Sequence, residues 1–285
     1  MYTNVNAQTA LSKIFSFFIT KIIAGIAVIA GSVAFIEWFG RSLLDKTQLG
    51  GNAKNIIIAF SDAAIALLSY SLLFSAYEKR RIKELDPSLF AKNAIAGFAI
   101  GFALQTLFVL VLYIAGGYSV TGINPVSSLI LPFTTAFTAG FVAEILIIGV
   151  FFRLIEERLG TMIALLILTL LFGLLHMNMK GATILSVLST AISAGFLLAA
   201  IYVFARNLWI VIFLHFAWDL TEPGIFGAIN PGNSVGQSLF LSKITGHAFL
   251  SGGQTGPQNS IQSLVLCSLT GMIFLWLAKR KRTLL

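Results

Sequence analysis

Long apolar segments are the feature that most constrains what this chain can fold into. A helix that crosses the hydrocarbon core of a bilayer needs about 20 mostly apolar residues. Segments of this kind lie near residues 22–40, 55–77, 93–116, 129–152, 161–178, 183–204, 207–220 and 261–278. The sequence therefore predicts an all-α, polytopic membrane protein with about eight transmembrane helices, forming a single integral membrane domain over residues 1–285. The segment 207–220 is the shortest and the least secure of the eight.

The composition excludes the other broad classes. Hydrophobic residues make up 57% of the 285 residues and charged residues only 11%, against roughly 25% in soluble domains. A soluble domain could not cover its surface with so few charges, and a disordered chain would be far less hydrophobic. Cys267 is the only cysteine, so an internal disulfide is impossible.

The positive charges that give the formal net charge of +8 are concentrated rather than spread. They crowd the connection between Lys79 and Lys92 and the segment from Lys279 to Arg282. Membrane proteins retain Lys and Arg in cytoplasmic connections, so both termini are predicted to be cytoplasmic. The bilayer explains this charge pattern better than a nucleic-acid surface does, and no nucleic-acid partner is expected.

Two further features leave alternatives open. Residues 221–260 form a long connection rich in Gly, Pro, Asn and Ser, which suits a lid, a binding element or a plain tether on the outer side. His247 lies in this connection and is expected to be solvated. Gly97 and Gly101 form a GxxxG pair that could pack helices within one chain or between two.

Ionisable side chains inside the apolar segments are the candidates for function, since each costs about 2.5–3.5 kcal/mol on insertion scales. Glu37 lies near the end of its helix and is expected to reach the interface. Asp62, beside Ser61, suits either a packed polar contact or a functional role. The complete set is Glu37, Asp62, Glu144, His176, His215 and Asp219.

Four members of this set fall in the C-terminal half. His215 and Asp219 are four residues apart in LHFAWDL, which places both on one face of a helix. Phe172 and His176 have the same spacing, so the Phe172 ring is expected to cover the helix turn beside the imidazole. Together with Glu144, these residues could polarise a water molecule, bind a metal or relay protons.

The order of these motifs resembles the CPBP family of intramembrane proteases, also called the CAAX prenyl endopeptidase or Abi family. That family has E-E-x-x-x-R followed by Gly, then F-x-x-x-H, then H-x-x-x-N or H-x-x-x-D. The counterparts here are AEILIIG, FGLLH and HFAWD, and the similarity covers roughly residues 130–282. It implies a bacterial cytoplasmic membrane location and an endopeptidase that hydrolyses a membrane-associated protein or peptide.

The resemblance also implies roles for the matched residues. Glu144 with His176 would activate water, and His215 with Asp219 would face the oxyanion, with Phe172 supporting His176. Asp219 can donate to an oxyanion only if it is protonated. Extending the fourth helix to Glu157, with an end at Gly160, brings Glu144 to nearly the depth of His176.

The first motif departs from the family pattern, and this keeps other functions open. Ala143 stands where the first glutamate belongs, and Ile148 stands in place of the arginine. One alternative is therefore a catalytically degenerate relative that acts as a membrane scaffold or regulator. The third hypothesis is a proton-coupled transporter.

No cofactor is certain from the sequence, although zinc is possible because it accepts nitrogen and oxygen ligands. If a metal is bound, the resemblance and the residue types indicate His176, His215, Asp219 and Glu144 as its ligands.

Overall fold

A computed structural model describes residues 17–177, 181–228 and 237–285. Eight helices dominate it, and they agree with the eight predicted segments. They are α1 (Phe18–Leu44), α2 (Gly51–Glu78), α3 (Phe90–Ile114), α4 (Val126–Leu159), α5 (Thr161–His176), α6 (Ile184–Ala205), α7 (Leu208–Ile225) and α8 (Ile261–Lys281). The predicted all-α membrane architecture is confirmed.

The shortest of the eight helices is α5, and not the seventh helix as expected from the sequence. Seven of the helices in the described part of the chain are long and apolar enough to cross a membrane. α5 has only 16 residues, or roughly 24 Å at 1.5 Å per residue. The seventh helix, expected to be the weakest, continues to Ile225 and meets the length requirement.

Four of the described long helices contain π-helical stretches, and two of these begin directly after residues of the C-terminal candidate set. In α4 the π-helical stretch Ile145–Phe152 begins directly after Glu144. In α7 the stretch Leu220–Ile225 begins directly after Asp219. Such insertions frequently occur at functional sites, so the helix geometry changes where the chemistry is expected.

Glycines allow α7 to lie in the centre of the bundle. A Cβ atom on Gly97 would lie 2.0 Å from the carbonyl oxygen of Ile210, and one on Gly101 would lie 2.4 Å from that of Leu214. Hydrogen in place of a side chain therefore lets α3 and α7 touch backbone to backbone. The GxxxG pair packs helices within this chain, which answers the question left open by the sequence.

Ion pairs hold one end of the bundle together. Arg153 Nη1 lies 3.0 Å from a carboxylate oxygen of Glu78, which joins α4 to α2. Arg206 pairs with Glu156 at 2.5 Å and donates to the carbonyl oxygen of Thr283 at 2.9 Å. The basic positions expected on one side do meet at one end.

The opposite end carries a two-stranded antiparallel sheet. Its strands are β1 (Tyr118–Ile123) and β2 (Phe240–Ile244). Part of the connection 221–260 is therefore built into the fold, because β2 is tied to the segment after α3. His247 is exposed, as expected, and its Nδ1 accepts a hydrogen bond from the backbone N–H of Phe249 at 3.2 Å.

The outer surface of the bundle is apolar around its circumference. Large aliphatic side chains on four different helices are more than half exposed, among them Ile23, Ile95, Leu174 and Ile273. A soluble protein rarely exposes contiguous apolar surface of this kind. The exposed belt fits contact with lipid.

Candidate active site

Glu144 and His215 meet between α4 and α7. A Cβ atom on Gly140 of α4 would lie 2.8 Å from the carbonyl oxygen of Ile212, so the two backbones approach closely one turn before Glu144. At this separation Oε1 of Glu144 lies 2.7 Å from Nδ1 of His215. Close helix packing thus sets the central contact of the site.

Asp219 extends the contact on the other side of the imidazole. Its Oδ2 lies 3.3 Å from Nε2 of His215, one helical turn away. The Glu144 side chain is fully buried, whereas the side chains of His215 and Asp219 are 23% and 38% exposed. Accessibility therefore increases along the chain Glu144–His215–Asp219, and the site is approached from the Asp219 side.

The second carboxylate oxygen of Glu144 is free. Oε2 is buried and has no hydrogen-bond partner among the described residues. A buried polar atom of this kind normally has a partner. Oε2 is therefore the Glu144 oxygen that the described residues leave without a donor.

His176 is held by its own helix. Its Nδ1 lies 2.9 Å from the carbonyl oxygen of Phe172, and the two rings are stacked with centroids 6.3 Å apart. The predicted cover of the imidazole by Phe172 is present. If Nδ1 carries the proton that bonds to the carbonyl, Nε2 is left as an acceptor.

The expected contact between Glu144 and His176 is not among the hydrogen bonds of the described residues, and Glu144 bonds to His215 instead. α4 does continue to Leu159 and ends at Gly160, which has a positive φ of 84°. Beyond that turn, however, α5 packs along α6. A Cβ atom on Gly195 of α6 would lie 2.7 Å from Cα of Thr169, so α5 follows its neighbour rather than α4.

The two unusual positions of the first motif have different surroundings. Ile148, which stands where the resemblance expects an arginine, is completely buried in the hydrophobic core. Ala143 is only partly buried. Position 148 is therefore enclosed by the core, whereas position 143 is partly exposed.

The residues named as possible zinc ligands are not gathered into a metal site in the described part of the chain. No group of three or more His, Cys, Asp or Glu side chains within residues 17–177, 181–228 and 237–285 is arranged to hold a metal ion. Glu144 and Asp219 bracket opposite nitrogens of His215, and these nitrogens point in different directions. Glu144 and Asp219 therefore cannot both bind one ion together with that ring.

Glu222 is a buried carboxyl group near the site that the sequence reasoning missed. Glu222 is 1% exposed and lies in the π-helical turn of α7. With the amide of Gln105 oriented to satisfy its neighbours, Nε2 donates to Glu222 at 2.6 Å and Oε1 accepts from Trp218 at 2.6 Å. Its spacing of seven residues from His215 was the available signal, but Pro223 suggested that the helix had ended.

The fold and the site together define a polytopic helical membrane protein with a buried glutamate–histidine–aspartate chain between two of its helices. The model of one protein family, the type II CAAX prenyl endopeptidase Rce1-like family, matches residues 125–221, about a third of the chain. The matched segment contains Glu144, His176, His215 and Asp219. This match supports the resemblance to the CPBP family of intramembrane proteases over that segment. No curated protein and no solved structure is significantly similar to the chain.

Proposed function

We propose that the protein is an intramembrane endopeptidase that hydrolyses a peptide bond in a membrane-associated protein or peptide. The observation that carries this proposal is the carboxylate of Glu144. One of its oxygens is fixed by His215, and the other is buried and free. A general base needs a fixed orientation and a lone pair that no protein donor occupies.

Glu144 is the base that activates water. Oε2 accepts a proton from a water molecule as the water oxygen attacks the carbonyl carbon of the substrate. The hydrogen bond from His215 holds the carboxylate in place during this step, because it restricts the rotation of Glu144. The same carboxyl group can later return the proton to the departing amine.

His215 and Asp219 act on the negative charge that develops on the substrate oxygen. An imidazolium at His215 can donate to both neighbouring carboxylates, and it places a positive charge close to the reacting atoms. Asp219 orients the ring from the accessible side and, when protonated, can itself donate to the oxyanion. His176 enters the proposal through the family motif alone, as a second group on the water, because no hydrogen bond joins it to Glu144 among the described residues.

The charges of the protein support a proposal for its orientation in the membrane. The basic connections meet at one end of the bundle, and positive charge is retained in the cytoplasm. We therefore place this end, with both termini, on the cytoplasmic side of a bacterial cytoplasmic membrane. Substrates reach the site from the bilayer, since the exposed belt of the bundle is apolar.

A comparison of newly formed peptide termini tests the peptidase. Native membrane proteins are reconstituted into proteoliposomes with the wild-type protein or with Glu144→Gln, and new termini are identified by mass spectrometry. The amide keeps the size of the side chain but is not a base, so cleavage is expected to fall by roughly 100-fold or more. Glu157→Gln, which changes a half-exposed glutamate on the same helix, serves as the control and should cleave normally. Equal cleavage by wild type and Glu144→Gln contradicts the proposal.

The second candidate function is a non-catalytic scaffold, which Ala143 and Ile148 favour. Ala143→Glu is the discriminating variant, because its position is only partly buried and can accept a carboxylate. Ile148→Arg is less informative, since the charge would be buried at a fully enclosed position. Cleavage that appears only in Ala143→Glu supports a degenerate enzyme, whereas cleavage by the wild type rules out the scaffold reading.

A further inference from the structure

A polar network lies one helical turn beyond Asp219. Glu222 follows Asp219 by three residues, a spacing that brings side chains together on the surface of a helix. Glu222 is buried, and its carboxyl group is close enough to Asp219 to interact with it electrostatically. The steps proposed for peptide hydrolysis make no use of this carboxyl group.

The amide of Gln105 on α3 joins Glu222 to the indole of Trp218. Its Nε2 donates to Oε2 of Glu222 at 2.6 Å, and its Oε1 accepts from Nε1 of Trp218 at 2.6 Å. The same indole nitrogen lies 2.8 Å from Oε1 of Gln258. Trp218 directly precedes Asp219 in the chain. The network therefore holds the turn of α7 that carries Asp219.

The segment 256–260, which leads into α8, packs against this network. The backbone N–H of Gln258 faces the carboxyl group of Glu222, although it is not positioned for a full hydrogen bond to Oε1. Gly256 has a positive φ of 84°, and a Cβ atom on it would lie 2.7 Å from Oε1 of Glu222. The absence of a side chain at Gly256 thus lets the segment lie directly on the carboxyl group.

The segment 256–260 is also fixed to α6, independently of Glu222. Thr190 donates from its hydroxyl to Oδ1 of Asn259 at 2.7 Å. Ser189 donates from its hydroxyl to the carbonyl oxygen of Ser260 at 3.1 Å. A change at Glu222 should therefore leave the segment attached to α6, and Thr190 offers a control on that side.

The type of side chain at position 222 matches its neighbours. A buried carboxyl group is unfavourable unless donors face its oxygens, and here the amide of Gln105 and the backbone N–H of Gln258 both point at it. A carboxylate has only acceptors, whereas an amide has one acceptor oxygen and one donor nitrogen. Glutamine at position 222 would therefore turn a donor toward one of these two N–H groups.

We propose that Glu222 is a positioning residue for the peptidase, because it fixes the turn of α7 that carries Asp219. Oδ2 of Asp219 lies 3.3 Å from Nε2 of His215, so a displacement of this turn also moves the imidazole. Small displacements of reacting groups reduce rates by large factors. Glu222 therefore supports kcat rather than substrate affinity. This role rests on the peptidase function proposed above.

A reciprocal exchange of two side chains tests the network. Glu222→Gln turns a donor toward another donor, and Gln105→Glu places two carboxyl groups side by side, so each single variant contains a mismatch. The double variant removes both mismatches. Its new carboxylate at position 105 accepts from Trp218 and from the new amide at position 222, whose oxygen faces the N–H of Gln258.

The rates are measured in proteoliposomes with a synthetic peptide that spans a cleavage site found with the wild-type protein. All variants are compared well below their unfolding midpoints, so that loss of folded protein does not contribute. Each single variant should lower kcat about 10-fold or more with KM within about twofold, and the double variant should return kcat to within about threefold of wild type. Thr190→Val, the control on the α6 side, should keep the wild-type kcat. Wild-type kcat in both single variants, or a double variant no faster than they are, overturns the proposal.

Hydrogen–deuterium exchange of the full-length protein in detergent separates this proposal from the peptidase itself. In Glu222→Gln, the backbone amides of residues 215–225 and 256–260 should exchange at least about threefold faster, and the double variant should restore their protection. Thr190→Val should affect 256–260 alone. A wild-type protein that does not cleave contradicts the peptidase, whereas unchanged exchange in Glu222→Gln contradicts the positioning role.

If neither single variant folds, Gln258→Ala decides. It removes the side chain that bonds to Trp218 at a position that is only partly buried. The kcat of this variant should fall at least about threefold with KM unchanged, because one contact to the turn of α7 is lost. A wild-type kcat in Gln258→Ala, with wild-type exchange over residues 215–225, overturns the proposal.

Discussion

Each residue of the site is oriented by a hydrogen bond to its neighbour, and this bond also decides which of its polar atoms remain free. Glu144 keeps one free oxygen because His215 occupies the other, and His215 is fixed because Asp219 holds its second nitrogen. Removing one member therefore changes the orientation of the next. A substitution that keeps a hydrogen-bonding group should therefore affect cleavage less than a substitution that deletes the group.

Asp219 provides a direct test of this dependence. An amide at this position can still bond to His215, and it can donate to an oxyanion without being protonated. We expect Asp219→Asn to cleave within about threefold of wild type and Asp219→Ala to lose roughly 10- to 100-fold. Initial rates of peptide release in proteoliposomes measure both. An equal loss in the two variants would show that the negative charge, rather than the hydrogen bond, is required.

At the scale of elements, the site depends on how closely α7 approaches its neighbours. Gly97 and Gly101 allow contact with α3, and Gly140 allows contact with α4. The sequence showed the helices through their apolar length, and it showed His215 and Asp219 on one face through their spacing. It did not show that α5 would follow α6, because apolar helices of similar composition offer many possible neighbours.

A methyl group at Gly97 tests the close approach. Its Cβ atom would overlap the backbone of Ile210, which cannot move away as a flexible side chain could. We expect Gly97→Ala to lower the free energy of unfolding by about 1–3 kcal/mol and to reduce cleavage as α7 shifts away from Glu144. Unfolding in detergent and the proteoliposome assay measure the two effects.

Gly31→Ala is the matched control, because nothing lies within 4 Å of the added Cβ atom. Alanine is favoured over glycine in a helix by about 1 kcal/mol, so this variant should be as stable as the wild type or more stable. Similar destabilisation by both alanines would mean that helix contact at Gly97 is not the cause.

At the scale of the whole molecule, the two ends differ in chemistry. One end is joined by ion pairs such as the buried pair Arg153–Glu78 and the partly buried pair Arg206–Glu156, and the other carries β1, β2 and the connections around them. Composition and charge clustering predicted this polarity. They could not predict the individual pairs, because a carboxylate such as Glu156 finds its partner 50 residues away only once the helices are packed.

Chemical labelling tests which end faces the cytoplasm. Lys92 and Ser119 are exposed at opposite ends of α3, whereas Cys267 is buried and gives the wild-type protein as a low-reactivity background. Since positive charge is retained inside, a membrane-impermeant maleimide should label Ser119→Cys in intact bacterial cells and Lys92→Cys only after permeabilisation. The reverse pattern would place the basic network outside. Such a result would move the accessible side of the Glu144–His215–Asp219 chain to the cytoplasmic half of the membrane, and with it the direction from which water enters.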